Sequence, residues 1–501
     1  MALLRTNLIA NFAGSFWTAA LSLLLVPVYV HLLGVEAYGL VGVHVTLQAL
    51  FSILDAGLST SLNRELARFG HDRANDSRIS ELVFTLEVLY WLVALLIATV
   101  TYFCAPLLAV RWLNTGRLQS ETVISAIRLI GCVIALQFPF AFYSGGLLGL
   151  QRHVAVNTIN IVWGTIRGVG AAAALWLVAP LIQVFFGWQL LATAGLTITS
   201  AIVFWKSLPA PKRPAFRITA LRHVARFAAG MSAITVAGTV LTQIDRVVLS
   251  RVLTLEAFGY YTIATTVATV LLLAMAPIFS AVFPKFSQLI ALGDDDELRV
   301  TYHRSAQVLS VVIIPAAVIL TLFSYEVLLA WTGNHAIAAN AHLIVTLLTI
   351  GYALGGLNQV PYALQLAEGW VRLPLIQSTI AVIFVIPASV WAANRYGGPG
   401  AASLWALLNA VFVVTSVAIM HRRLLRGERA TWCLRDVGLP LIASLAVAVP
   451  ARLWIAPRSG QLPALAWLAA IGLLTLTAAA FATPYIRVLM SEALSYVRRR
   501  A

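Results

Sequence analysis

Apolar residues in this chain gather in long runs, with neither the alternation of a half-buried strand nor the single stripe of a surface helix. Residues 82–103, 154–178 and 380–393 are examples, and few such runs carry a charge. A helix rises 1.5 Å per residue, so about 20 mainly apolar residues cross the hydrocarbon of a bilayer. Fourteen segments are predicted to do so: 8–31, 38–58, 81–104, 122–150, 154–178, 182–205, 227–252, 260–284, 304–329, 340–367, 371–393, 399–420, 437–456 and 462–486. Links as short as Ala179-Pro180 leave room for hairpins and not for inserted domains. The pattern predicts an all-α polytopic membrane protein with about 14 transmembrane helices. Pro27, Pro139, Pro277, Pro315, Pro361 and Pro387 fall inside spans, where neighbouring helices or water can satisfy the freed carbonyls. They predict gently kinked packing helices.

Composition agrees. Of 501 residues 60% are hydrophobic and 11% charged, too little polar surface for a water-soluble domain. The run that follows Arg5 continues to about residue 30 without a small-residue cleavage site, so an uncleaved first helix is expected. Cys104, Cys132 and Cys433 are odd in number and scattered, which suits neither a disulfide framework nor a metal site. No metal or cofactor is expected.

The basic residues set the orientation. With the N-terminus inside, Arg111, Arg117, Arg251, Arg395, Arg452 and Arg458 fall outside, and Arg128, Arg167 and Arg246 fall within spans. That leaves 25 of the 34 Lys and Arg on the cytoplasmic side, the asymmetry of the positive-inside rule. The net charge of +15 therefore lines one membrane face and is no sign of nucleic-acid binding. An even span count places both termini in the cytoplasm.

One short stretch occurs twice. VHLLGVEAYGL at 30–40 is echoed 220 residues later by SRVLTLEAFGY at 250–260, with Glu36 on Glu256, Ala37 on Ala257, Tyr38 on Phe258 and Gly39 on Gly259. At the same offset Thr101 meets Thr321, Phe103 meets Phe323, Arg152 meets Arg372, and Asn157 and Thr158 meet Gln377 and Ser378. The fixed register predicts two six-helix lobes related by a pseudo-two-fold axis along the membrane normal. The N-lobe would be 1–205 and the C-lobe 227–420, joined by a basic cytoplasmic linker at 206–226. Residues 421–501 would add two C-terminal helices and a basic cytoplasmic tail. Parallel repeats of this kind are one architecture of secondary transporters, whose lobes rock about a central site.

LLGVEAYGL together with ILDAGLSTSLNRELARF (53–69) resembles the opening of the bacterial polysaccharide-transporter family, the O-antigen flippases. LTQIDRVVLSRVLTLEAFGYYTIA (241–264) and PIFSAVFPKFSQL (277–289) are similar to the same family's second half. The resemblance covers most of 1–420 and extends to a superfamily that includes multidrug/cation antiporters and the lipid II flippase. It implies a flippase of the bacterial inner membrane that moves a polyprenyl-pyrophosphate-linked oligosaccharide from the inner to the outer leaflet by alternating access. O-antigen, capsule or exopolysaccharide synthesis would be its setting. The implied partners are the lipid-linked oligosaccharide, membrane lipids, and a polymerase with other polysaccharide-assembly proteins. By analogy with the lipid II flippase, the added helices at 437–486 would help form a groove for the lipid tail.

Such a substrate needs cations for its phosphates in a wet cavity, and arginine fits because its guanidinium stays charged and pairs phosphate oxygens two at a time. Arg167, Arg128 and Arg246 are the diphosphate candidates. Arg167 lies nearest mid-span, in NIVWGTIRGVG, with Gly164, Gly168 and Gly170 around it. The competing assignment is an ion pair of Arg167 with Asp245 or Glu87. Asp245 and Glu87 are themselves candidates for ion coupling. Adjacent residues such as Asp245 and Arg246 diverge by about 100° on a helix, so each needs a partner elsewhere. Asp55 is expected to be structural, and His44 and His342 to be polar helix contacts.

No GxxxxGK[ST] loop is present, so the chain is not its own ATPase, and the short external links carry little chemistry. The expectation is not an enzyme. A multidrug/cation antiporter is the alternative, and it would favour acidic over basic residues in mid-span.

Overall fold

The computed structural model describes residues 2–55, 57–69, 76–208, 216, 236, 238–454 and 460–489. Most of the expected linker, the start of the expected seventh span, and the tail with Arg498, Arg499 and Arg500 lie outside the described residues. Among those described the chain is helical, with one isolated bridge, between Asn114 and Thr254, and no strand.

Residues 1–259 and 260–501 form two compact units. The first holds α1 (Ala2–Leu33), α2 (Val35–Phe51), α3 (Leu58–Phe69), α4 (Asp76–Leu107), α5 (Ser120–Gly149), α6 (His153–Leu177), α7 (Ile182–Ser207) and α8 (238–252). It ends inside α9 (Leu255–Ala268). α5 is the hub, packed against α3, α4 and α7, while α6 packs against α1 and α7. On α4 the residues Val83, Leu86, Tyr90 and Ile97 recur at helical spacing and are buried, whereas Leu95 is 65% and Phe103 74% exposed. Large apolar side chains left outward on so long a helix are what hydrocarbon accommodates and water does not. Because lipid is as apolar as leucine, tight packing and polar contacts, not the hydrophobic effect, hold such helices together.

The second unit holds α10 (Leu272–Leu292), α11 (Asp295–Leu322), α12 (Ser324–Thr332), α13 (His335–Leu357), α14 (Gln359–Ala367), α15 (Arg372–Arg423), the turn α16 (Arg429–Thr431), α17 (Leu439–Trp454) and α18 (Gln461–Ala482). α11 is its centre. Tyr302, Leu309 and Ile313 pack with Phe286 and Trp432. Further along, Ile314, Val318 and Phe323 pack with Ala448, Leu468 and Ile471 of the two added helices. A polar tie joins the same elements: fully buried Asp436 accepts from Gln307 Nε2 at 2.8 Å and contacts His303. Gln307 Oε1 in turn accepts from the Tyr485 amide at 3.0 Å.

Eleven helices among the described residues are long and apolar enough to cross a membrane. The predicted spans 371–393 and 399–420 are two helical stretches within α15, separated by a kink at Gly397, which leaves helical geometry at φ 62°. The predicted 227–252 begins outside the described residues, and α6, though 25 residues long, is diluted by Asn157, Asn160 and Arg167. Helix starts repeat the register of the sequence: Val35 and Leu255 are 220 apart, and Asp76 with Asp295, and His153 with Arg372, are each 219 apart.

Candidate substrate-binding site

Asn157, Asn160, Gly164 and Arg167 follow one another at three, four and three residues, so they share one face of α6. With α1, α5 and α7 that face lines a half-open cavity of about 430 Å³, bordered by Thr18 and Ser22 of α1, Gln137 and Phe140 of α5, and Leu196 of α7. Several lining groups are already bonded. Thr18 Oγ1 donates to the Gly14 carbonyl at 2.8 Å, Ser22 Oγ to the Thr18 carbonyl at 3.0 Å, and Trp163 Nε1 to Thr199 Oγ1 at 3.2 Å. A Cβ at Gly164 would meet nothing within 4 Å, so this glycine borders open space on the cavity wall.

Arg167 is half-buried on this wall. Among the described residues it makes no ion pair, with Asp245, Glu87 or any other group, and no side-chain hydrogen bond. An arginine at the bilayer centre costs about 2.5–3.5 kcal/mol, a cost lowered here by the polar space beside it. Tyr29 and His44 lie within electrostatic range of its charge. The Tyr29 hydroxyl donates to the Gly168 carbonyl at 2.7 Å, and His44 stands edge-on to Phe186 at 5.6 Å.

Only one of the three arginines lines this cavity. Arg128 stacks over the Tyr102 ring, 4.3 Å from its centroid, and Arg246 reaches Gln243 Oε1 at 3.4 Å, one turn back on α8. Asp245 is half-buried on the same helix and has interactions of its own. Glu87 is held by two donors, Tyr143 Oη at 2.5 Å and Trp205 Nε1 at 3.0 Å, in a cluster that ties α4 to α5 and α7. Asp55 accepts from Ser59 Oγ at 2.8 Å and from the Tyr90 hydroxyl, bracing the start of α3.

The repeated stretch marks a close helix crossing in the first unit. A Cβ at Gly39 would overlap the Leu255 carbonyl oxygen, and a Cβ at Gly259 would overlap that of Val35. Each glycine thus admits the backbone that precedes the other. Glu36 accepts from the amides of Gly116, Arg117 and Leu118 at 3.0, 2.8 and 3.2 Å. Nearby, Leu255 N donates to the Asn114 carbonyl at 3.0 Å, Arg251 to that of Arg111 at 2.7 Å, and Trp112 Nε1 to Ser250 Oγ at 3.0 Å. These bonds fasten α8 and the start of α9 to segment 108–118, so α8 packs with the first unit.

Of the cavity's lining residues, Arg167 and Gly164 stand out in the sequence, whereas Asn160, Trp163 and Gln137 do not. The spacing of polar residues along α6 would have exposed Asn160. Gln137 stands alone in an apolar run and gave no signal.

The profile of a family described as polysaccharide biosynthesis protein matches residues 4–290, and that of MatE matches 231–391. A putative O-antigen transporter from Shigella flexneri is 23% identical over 390 residues, which cover 75% of this chain and 87% of that protein. The solved structure of the lipid II flippase MurJ in an inward closed conformation superposes with a TM-score of 0.74 at 15% identity, covering 97% of this chain and all of that one. An inward-facing multidrug resistance MATE family transporter gives 0.67 at 14% identity, covering 81% and 94%. The shared fold is that of the polytopic helical transporters.

Proposed function

The chain belongs to the polysaccharide biosynthesis protein family, and from that membership we propose that it is a flippase for a polyprenyl-pyrophosphate-linked oligosaccharide. It would move this lipid from the inner to the outer leaflet of the cytoplasmic membrane, for O-antigen, capsule or exopolysaccharide synthesis. The observation that carries the reading is Arg167: a guanidinium with no protein partner among the described residues, on the wall of a part-polar cavity lined by α1, α5, α6 and α7. The similarity to a putative O-antigen transporter supports it.

The chemistry follows from the burden of the substrate. A diphosphate sheds water to enter the membrane, and a guanidinium fork replaces part of that shell with two parallel charge-assisted bonds. The polyprenyl tail can remain in the bilayer throughout. A carrier must also release its cargo, so a single cation, strong enough to admit and weak enough to let go, suits transport better than a tight cluster. Access would alternate as the expected lobes 1–205 and 227–420 rock, with 437–486 an added pair at the flank. Arg128 and Arg246 stand outside the cavity in this conformation, and Glu87 and Asp245 are left as ion-coupling candidates.

Proteoliposomes carrying a fluorescent lipid-linked glycan test the reading. The protein should speed exchange of the glycan between leaflets, and Gly164→Leu, which adds bulk where a Cβ meets open space, should slow it at least about tenfold with Gly164→Ala near wild type. Ion-driven movement of a cationic dye with no movement of the glycan would favour the multidrug/cation antiporter, whose MatE profile matches 231–391.

The charge asymmetry sets the topology we propose. Reporter fusions after residues 75, 215 and 427 should read cytoplasm, and those after 114, 335 and 458 periplasm. A periplasmic reading at 215 would overturn both the orientation and the two-lobe division.

A further inference from the structure

We propose that Gln137 and Asn160 form a carbohydrate subsite beside Arg167 that reads hydroxyls of the first sugar, an inference that rests on the flippase reading above. Among the described residues neither carboxamide makes a side-chain hydrogen bond, and Gln137 Oε1 is buried without a partner. Apart from Arg167, the other polar side chains on this wall are occupied: Thr18, Ser22 and Trp163 as given above, and Asn157 through Nδ2 to the His153 carbonyl at 2.8 Å. Buried polar groups in native proteins are almost always bonded, so the buried Gln137 Oε1 calls for a partner that arrives through the cavity. There the half-buried Asn160 also stands without a protein bond among the described residues.

Their chemistry names the partner. A carboxamide sets N–H donors beside a carbonyl acceptor, and a pair of neighbouring hydroxyls, each both donor and acceptor, complements it. A lipid tail offers nothing to such groups, and a cationic drug is not drawn to N–H donors beside a guanidinium. Spacing agrees: Asn160 lies seven residues before Arg167, about 10 Å along the helix axis. With the diphosphate on Arg167, that separation is the scale of the next group along the chain, a single sugar ring. The set also occurs once. At the 220-residue offset Gln137, Asn160 and Arg167 correspond to Leu357, Ile380 and Pro387, so these residues are no inheritance of the common repeat.

Binding of polyprenyl pyrophosphate to the purified full chain, bare or carrying one glucose, galactose, N-acetylglucosamine or N-acetylgalactosamine, tests the subsite by native mass spectrometry. Wild type should bind at least one glycosylated carrier about tenfold tighter than the bare one. Gln137→Leu and Asn160→Leu should each erase that preference while binding the bare carrier normally, which also shows that they fold. A preference that survives both variants, or no preference in wild type for any of the four sugars, overturns the subsite. The flippase reading survives either result provided the bare carrier binds and Arg167→Gln weakens it. If the wild type binds no carrier at all, both fall.

Discussion

Arg167→Gln is expected to abolish export of the lipid-linked glycan while the protein reaches the membrane in normal amount. Removing one partner from a desolvated, hydrogen-bonded charge pair costs about 3 kcal/mol, a loss of ~100-fold. Arg167→Lys keeps a cation but loses the two-pronged geometry, and should retain part of the transport. Abundance should not fall, because Arg167 has no ion-pair partner among the described residues and its removal strands no carboxylate. A buried charge without a counter-ion is a burden to the fold, so the Gln variant should be at least as stable as wild type. Quantifying membrane protein beside surface glycan separates the two roles. Normal export from the Gln variant would remove Arg167 from the site, and a fall in abundance would make it structural.

Spans and repeat were readable from sequence because lipid imposes a simple rule: each run must be apolar and long enough. α4 and α5 obey it throughout: the predicted 81–104 lies inside α4, and 122–150 overruns α5 only by Leu150. α15 obeys it too, since its kink at Gly397 falls between the two spans predicted there. Site chemistry was legible only in part. Arg167 announced itself because a mid-span cation is costly, whereas Arg128, equally conspicuous, lies over the Tyr102 ring, and Glu87 is held by Tyr143 and Trp205. A sequence records the charge and not the neighbour that satisfies it. Gln137 was invisible for the opposite reason: a neutral amide in an apolar run looks like an ordinary helix contact until its lack of partners is seen.

The repeated stretch has a mechanical consequence, and the second large effect is expected there. Gly39 and Gly259 let the starts of α2 and α9 cross backbone to backbone, and Glu36 holds the adjoining loop by three amide bonds. Under the proposed topology this crossing lies on the periplasmic side, and under the proposed alternating access it would part when the glycan leaves. Val35→Cys with Leu255→Cys, in a chain whose Cys104, Cys132 and Cys433 are replaced by serine, should form a crosslink under oxidation. Transport should then fall at least about tenfold and return on reduction. Spin labels at the same two positions should show two distances, with the lipid-linked glycan shifting their proportions, since a ligand moves such an equilibrium only by binding one state better. Gly39→Val should enrich the longer distance, because its Cβ cannot pass the Leu255 carbonyl oxygen. A fixed structural crossing makes the opposite forecast. It would give one distance with or without glycan, and a crosslinked protein that transports as well as the reduced one.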